Sequence, residues 1–499
     1  MPTKMSVYSF AGRVFRQARV AAAGRPRFKA SVLAVSAALG LAACAQIPEL
    51  GQLTAPKSAA SYQAGKSFAS PVIEWPAEQW WKAYGDAQLD TLIDEALRDS
   101  PDIAAAAARL RRAEAFGQIA GAALLPQAGL NASATEQRMS YNYLTPKSVT
   151  PQGYNDYGRV TLDLGWEIDF WGKHRAGVAA ATSQLEAARA EQAQTRLALA
   201  AGIAAQYADL AQLFAVRDTL ERSVALRQKT AELFGERFTH GLETRGGVQE
   251  AKARLAGAEG ELLGIDEQIG LQRNRIAALM GAGPDRGLAI TRPTVNLAAG
   301  YGLPDELASG LLARRPDVSA ARLMVEAQLK RIDQKKAEFY PNVNLSAFVG
   351  AQAIGLDLLT RGDSRVGGYG AAISLPIFTG GRLRGELRGS VANYEESVAN
   401  YHRAVTQALQ EVASAGLSQK ALGAQIDKAS SAVLAAGEAH RVARNRYEGG
   451  LANYLEVLYA EDGLLASRRN LAILQSRALS QDVALKRALG GGYLASQSN

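Results

Sequence analysis

Arg237-Phe238-Thr239-His240-Gly241-Leu242 and Arg446-Tyr447-Glu448-Gly449-Gly450-Leu451 lie 209 residues apart and read alike: a basic residue, an aromatic, two further residues, a glycine, a leucine. Each interrupts a long stretch built for helix. No proline occurs from 152 to 283, nor from 377 to 499, and Ala, Gln, Glu, Leu and Arg dominate both stretches. All five are good helix formers. The expected helices cover 173–238 and 244–281, then 382–447 and 453–489. A helix of about 65 residues is about 98 Å long. That is too long for a globular core, so such helices belong to a coiled coil or a helical tube. A paired long helix is commonly a plain strut, and this feature alone names no function.

The likeness extends outward from the two turns. Ser100-Pro101-Asp102-Ile103 matches Arg315-Pro316-Asp317-Val318, and Pro126 and Leu130 match Pro341 and Leu345, all at a shift of 215. Tyr157-Gly158 returns as Tyr369-Gly370, and Ala278-Leu279-Met280-Gly281 as Ala488-Leu489-Gly490-Gly491. The order is kept through about 200 residues, which indicates one duplicated unit and exceeds any solenoid period.

Ahead of each pair of long helices the period changes to two. Val160, Leu162, Leu164, Trp166, Ile168 and Phe170 alternate with Arg159, Thr161, Asp163, Gly165, Glu167 and Asp169. Period-two alternation marks a strand with one apolar and one polar face. The expected strands are 127–137, 157–170, 342–353 and 368–378. About ten residues suits a tilted membrane-spanning strand; two hairpins half-buried in a soluble sandwich would give the same pattern. Four spanning strands cannot close a barrel, and open edges cannot face lipid. A spanning reading therefore requires a barrel shared between copies, eight strands from two or twelve from three, and a tube for large solutes favours the wider.

Composition narrows the function. At 499 residues the chain has room for two or three domains. One cysteine excludes an internal disulfide and a Cys-based zinc site, and four scattered histidines leave little for a metal. With 47% hydrophobic residues the chain is not disordered, and it has no uninterrupted apolar run of about 18–20 residues, so it is not a polytopic helical membrane protein. Its net charge is +8, but seven basic residues lie before position 30 and no acid precedes position 44; without them 49 basic face 48 acidic residues. The body is nearly neutral, which removes the electrostatic footprint of a nucleic-acid binder. There is no P-loop, no G-x-S-x-G and no metal-spacing cluster, so no catalytic residue, cofactor or metal is expected.

The basic segment 1–29 leads into the apolar run 30–43, ending Leu41-Ala42-Ala43-Cys44. This has the length of a signal-peptide core. Leu-Ala-Ala-Cys resembles a bacterial lipobox, with Cys44 acylated as the mature N-terminus; an ordinary secretory leader with a chance cysteine is the alternative. Ala45 in place of an aspartate favours the outer membrane.

These features together resemble the TolC-like outer-membrane factors, in the lipoprotein (NodT/OprM-like) branch that serves RND-type efflux systems. The carrying motifs are Trp80-Trp81-Lys82-Ala83-Tyr84-Gly85-Asp86 with Leu89, Leu92 and Ile93, the two Pro-Asp helix starts, the turn at 446–451 followed by Tyr454-Leu455-Glu456-Val457-Leu458, and the ending Ala488-Leu489-Gly490-Gly491-Gly492-Tyr493. The resemblance implies a mixed α and β membrane protein: a homotrimer with a twelve-stranded outer-membrane β-barrel continued by a periplasmic α-helical barrel. It implies a lipidated extension over 44–85, repeats over 86–283 and 305–492, an equatorial segment over 284–304 and a tail over 493–499. The implied role is a passive efflux duct fed by a periplasmic membrane-fusion adaptor and an inner-membrane RND transporter, with outer-membrane lipid around it and no nucleic acid. Gly241, Leu242, Gly450 and Leu451 would form the periplasmic tip that meets the adaptor; helix caps followed by a hydrophobic contact are the structural alternative, and both can hold at once. Tyr454, Glu456, Tyr459 and Asp462 would narrow the pore, Tyr459 standing where the family often has an acid; for Glu456 a solvated coiled-coil charge is the plainer account. Two other functions stay open, a duct for type I protein secretion and a non-conducting coiled-coil envelope lipoprotein.

Overall fold

The computed structural model describes residues 47–58, 61, 62, 65–68, 70–142, 145–295, 303, 304 and 307–495. Cys44, expected to be the lipid-bearing residue, lies outside them. The elements run α1 (Ala87–Asp99), α2 (Pro101–Ala122), β1 (Gln127–Gln137), β2 (Asn155–Ile168), α3 (Lys173–Thr239), α4 (Arg245–Leu279), α5 (Pro284–Leu288), α6 (Leu307–Arg314), α7 (Pro316–Ala337), β3 (Asn342–Ile354), β4 (Arg365–Ser374), α8 (Arg382–Glu448) and α9 (Tyr454–Ala488). The duplication is explicit in the lengths. Helices α2 and α7 have 22 residues each, α3 and α8 have 67, and α4 and α9 have 35. Pro101 and Pro316 each open a helix at its first turn, where the missing N–H costs nothing.

The strands form one antiparallel sheet in the order β1-β2-β3-β4. The register aligns the period-two pattern across the sheet. Leu130 opposes Leu162, Leu162 opposes Val349, and Leu345 opposes Ala371 on one face. Asn131 opposes Thr161 and Asp163 opposes Phe348 on the other. On that polar face Asn131 and Thr161 donate to the Asp163 carboxylate at 2.8 and 2.9 Å. Among the described residues the outer edges of β1 and β4 are unpaired, and every residue of β1 is exposed. Several strand ends differ from the expectation: β2 and β4 begin earlier, at Asn155 and Arg365, β3 runs one residue longer, to Ile354, and β2 and β4 both stop short. β2 stops at Ile168, because the chain turns at Gly172 (φ 77°) to start α3. β4 stops at Ser374, two residues before Pro376, which has no N–H for a ladder.

The main core sits midway along the long helices. Trp80, Trp81, Tyr84, Leu89, Leu92 and Ile93 pack with Ile203, Tyr207 and Leu210 of α3, Ile276 of α4 and Leu479 of α9. By length and composition α3 could cross a membrane, but half of its most apolar window is buried here. Asp86 caps α1 and organises this equator. Its carboxylate accepts from the backbone of Gln88, Leu89 and Thr294 and from the Tyr207 hydroxyl at 2.8 Å. Burial pulls its pKa up, but these donors outweigh that and hold it below the usual carboxylate range. Arg315, also buried, pairs with Asp317 at 2.6 Å and Glu411 at 2.8 Å.

Candidate functional site

The two turns that open the sequence reading are the same structure. Leu242 N–H donates to Arg237 O at 2.8 Å and Gly241 N–H to Phe238 O at 3.0 Å; Leu451 and Gly450 repeat both bonds to Arg446 and Tyr447. This is the Schellman closure, and it needs a left-handed residue: Gly241 and Gly450 both have φ 71°. The next helix starts on a side-chain cap in each case, Thr244 receiving Gly247 N–H and Asn453 receiving Glu456 N–H. The leucines are left in the open, Leu242 at 65% and Leu451 at 75% exposure.

Just above the turns the two helical pairs are joined by aromatic rings. The Arg237 guanidinium lies over the Tyr447 ring at 5.1 Å. Tyr454 meets Phe234 edge-on at 4.4 Å and Tyr447 at 5.1 Å, and its hydroxyl shares a 2.9 Å hydrogen bond with the Thr230 hydroxyl. Burial pushes Tyr454 up to about 12. Higher up, Asp462 of α9 accepts from Arg227 of α3 at 2.8 Å and from Arg254 of α4 at 3.1 Å. Glu461 beside it is buried, with the Arg227 Nε at 3.9 Å, and burial raises its pKa.

The four expected pore residues therefore divide. Glu456 and Tyr459 share the exposed side of α9, with Glu456 ion-paired to Arg446 at 2.9 Å. Tyr454 and Asp462 turn instead into the seam between the helical pairs. The sequence reading did not single out Arg227, Arg254, Phe234 or Glu461. One signal was available: Arg227 lies 14 residues before Gly241, Arg254 lies 13 after it, and Asp462 lies 12 after Gly450. All three stand at one height, about 20 Å from the turns.

The sequence model described as outer membrane efflux protein matches residues 92–282 and 307–491, which is most of the chain and both repeats. The chain belongs to the outer membrane efflux protein family. Among curated members, the multidrug resistance outer membrane protein MdtP of Escherichia coli (strain K12) is 32% identical over 428 residues, 84% of this chain and 88% of that protein. The crystal structure of the outer membrane protein VceC of Vibrio cholerae superposes with a TM-score of 0.79 at 48% identity, over 84% of this chain and all of that one. The Campylobacter jejuni CmeC outer membrane channel shares the fold, with a TM-score of 0.80 at 21% identity over 90% of this chain and 96% of that one. An efflux-protein fold of helices and one sheet accounts for the turns, the seam and the equator, and its family is one of channels rather than enzymes.

Proposed function

We propose that three copies of this chain form an outer-membrane duct that passively conducts drugs or other small toxic compounds outward. One observation carries the reading: the two repeats are packed unequally. Helix α7 lies against both α8 of its own repeat and α3 of the preceding one. There Gln334 touches Gly177, and Arg331 reaches Gln184 at 3.5 Å. Among the described residues helix α2 packs comparably only against α3. At the 215-residue shift, Arg331 and Gln334 correspond to Phe116 and Ile119, which stand 55% and 65% exposed. The partner missing from α2 is thus a long helix of a preceding repeat, which only another copy supplies. By the same logic Phe116 meets α8 of that copy near Asn393, the counterpart of Gln184. The open edges of β1 and β4 ask for the same neighbour, since unpaired backbone groups are costly in lipid.

Three four-stranded sheets make a twelve-stranded barrel, apolar outside and lined inside by Asn131, Thr161 and Asp163. The long helices extend it by about 100 Å into the periplasm. The exposed Leu242 and Leu451 meet a periplasmic membrane-fusion adaptor, an inner-membrane RND transporter supplies the energy, and acylation of Cys44 anchors each copy. Glu456 and Tyr459, on the free side of α9, line the narrow end, while Asp462 holds the helical pairs together behind them.

Single-channel recording of the purified protein in planar bilayers tests the duct. Discrete channels are expected, with weaker cation preference in Glu456→Gln. Absence of channels in wild type and in a loosened Asp462→Asn variant, with no heat-resistant β-structure, overturns the reading. Assembly is tested separately: Phe116→Cys with Asn393→Cys should give a crosslinked ladder ending at three copies, and monomer alone would refute it.

A further inference from the structure

The N-terminal extension runs along the second repeat. Ile47, Leu50, Leu53 and Tyr62 pack, half-buried, against the cluster formed by Val318 and Val325 of α7 with Val398 and Tyr401 of α8. Farther along, Phe68 and Trp75 join Leu307, Leu311 and Leu485. Ile73 N–H donates to Leu303 O at 3.1 Å, and Leu303 N–H to Pro71 O at 2.9 Å. Trp75 lies directly over Gly310, where a Cβ would come within 2.4 Å of the indole. Within the first of these holds Lys57 donates its backbone N–H to the Nε2 of His402, in α8, at 2.9 Å.

We propose that the segment from Ile47 to Ser58 is a strap that docks on α8 while His402 is neutral and lifts off when the ring is protonated. An imidazole nitrogen accepts only with a free lone pair; the protonated ring carries N–H on both nitrogens. Protonation would therefore set a donor against the Lys57 N–H. Lys57 on the extension acts on the ring directly; Tyr401 stands beside it at 6.0 Å, with Tyr62 of the extension and Arg322 of α7 acting on Tyr401, and Arg403 is the next residue of α8. Among the described residues no carboxylate is ion-paired with the ring. Burial, and then the Lys57 ammonium, hold His402 below the ordinary histidine value, which is about 6.5. The sign follows from that direction. Docking is at full strength above the pKa of the free ring and is lost as pH falls through the lower docked value. The upper hold is only half-buried, so one lost bond matters there. The lower hold, clamped by Trp75 on Gly310, stays.

Geometry gives the strap a purpose, and this step rests on the acylation of Cys44 proposed above. From Arg382 to His402 α8 descends about 30 Å. The 13 residues from Cys44 to Lys57 can extend about 45 Å. A docked strap thus reaches the membrane end of α8 with some slack, and a lifted one frees the anchor from the helix.

Hydrogen exchange of the full-length protein in lipid nanodiscs, corrected for intrinsic rates, tests this at pH 7.5 and 5.0. Protection of residues 50–58 should fall roughly threefold or more at the lower pH, while residues 70–84 do not change. His402→Gln, whose amide oxygen accepts without titrating, should keep protection at both pH values, and His402→Phe should lose it at both. Equal wild-type protection at the two pH values, or the wild-type profile in His402→Gln, overturns the strap. Intact mass on the same sample reads acylation separately; an unmodified Cys44 removes only the anchoring consequence.

Discussion

The equator and the tip are built from the same helices by different means. At the equator Trp80, Tyr84, Leu92, Tyr207 and Ile276 bury an apolar core, and Asp86 and Arg315 are buried with their hydrogen bonds filled. At the tip the buried apolar cluster shrinks to Phe234, Val248 and Ala251, and the pairs are held by Asp462, a cation over a ring and one hydroxyl bond. Apolar burial is worth about 25 cal/mol per Å², whereas a half-exposed ion pair contributes about 0–1 kcal/mol. The same four helices are thus locked at one level and lightly tied at the other. A duct whose narrow end lies at this tip, as proposed, could widen there without unlocking the equator.

Two glycines in one backbone conformation give the largest test of the contrast. Gly490 at the equator has φ 88°, and an added Cβ would lie 1.9 Å from Arg314 O; Gly450 at the tip has φ 71° and open space. Gly490→Ala should cost roughly 3–4 kcal/mol and prevent stable folding. Gly450→Ala should cost only the left-handed penalty, about 1–2 kcal/mol. Thermal melts followed by circular dichroism rank them, and equal losses would erase the distinction. Next in size is Asp86→Ala, which strands the Tyr207 hydroxyl and Thr294 N–H and should cost about 2–4 kcal/mol. Because Asp86 is held below its ordinary value, its contribution is complete above the unfolded carboxyl pKa of about 3.9 and is lost as pH falls through the folded one. The drop in melting temperature from pH 7 to pH 3 should therefore be smaller in Asp86→Asn than in wild type. Asp462→Asn should cost under about 1 kcal/mol yet raise single-channel conductance; a large stability loss without a change in conductance would make Asp462 a core residue instead.

Helix-favouring composition without proline made the long helices legible, and proline and glycine marked their ends. Pro101, Pro316, Gly241 and Gly450 punctuate the chain by their backbone chemistry alone. The polar and apolar faces of the sheet were legible from period-two alternation, and the register keeps Leu130, Leu162 and Val349 on one side. Lateral choice was not. A period of 3.6 says that Asp462 and Tyr454 lie on some face of α9, but not that this face meets α3 and α4 rather than open space. Arg227 and Arg254 are distant in sequence, and only the packing of the first repeat against the second brings them to Asp462. His402 escaped for a similar reason. It sits on a helix surface in the sequence pattern, and its partner is a backbone N–H that no side-chain pattern encodes.

The smallest effect sharpens the picture of the tip. Tyr454→Phe keeps the ring against Phe234 and Tyr447 and removes only the hydroxyl bond to Thr230. The Thr230 hydroxyl can turn to water at this end of the molecule, so the cost should be about 0.5–1.5 kcal/mol. With its pKa pushed up to about 12, Tyr454 stays neutral through any pH the protein survives, and the loss should be the same at pH 6 and pH 9. Hydrogen exchange should therefore speed up around Thr230 and Tyr454, at both pH values alike, and leave Tyr207 and Leu92 untouched. Faster exchange at the equator as well would mean that the two levels unfold as one unit, and the gradient between them would be one of packing only, not of stability.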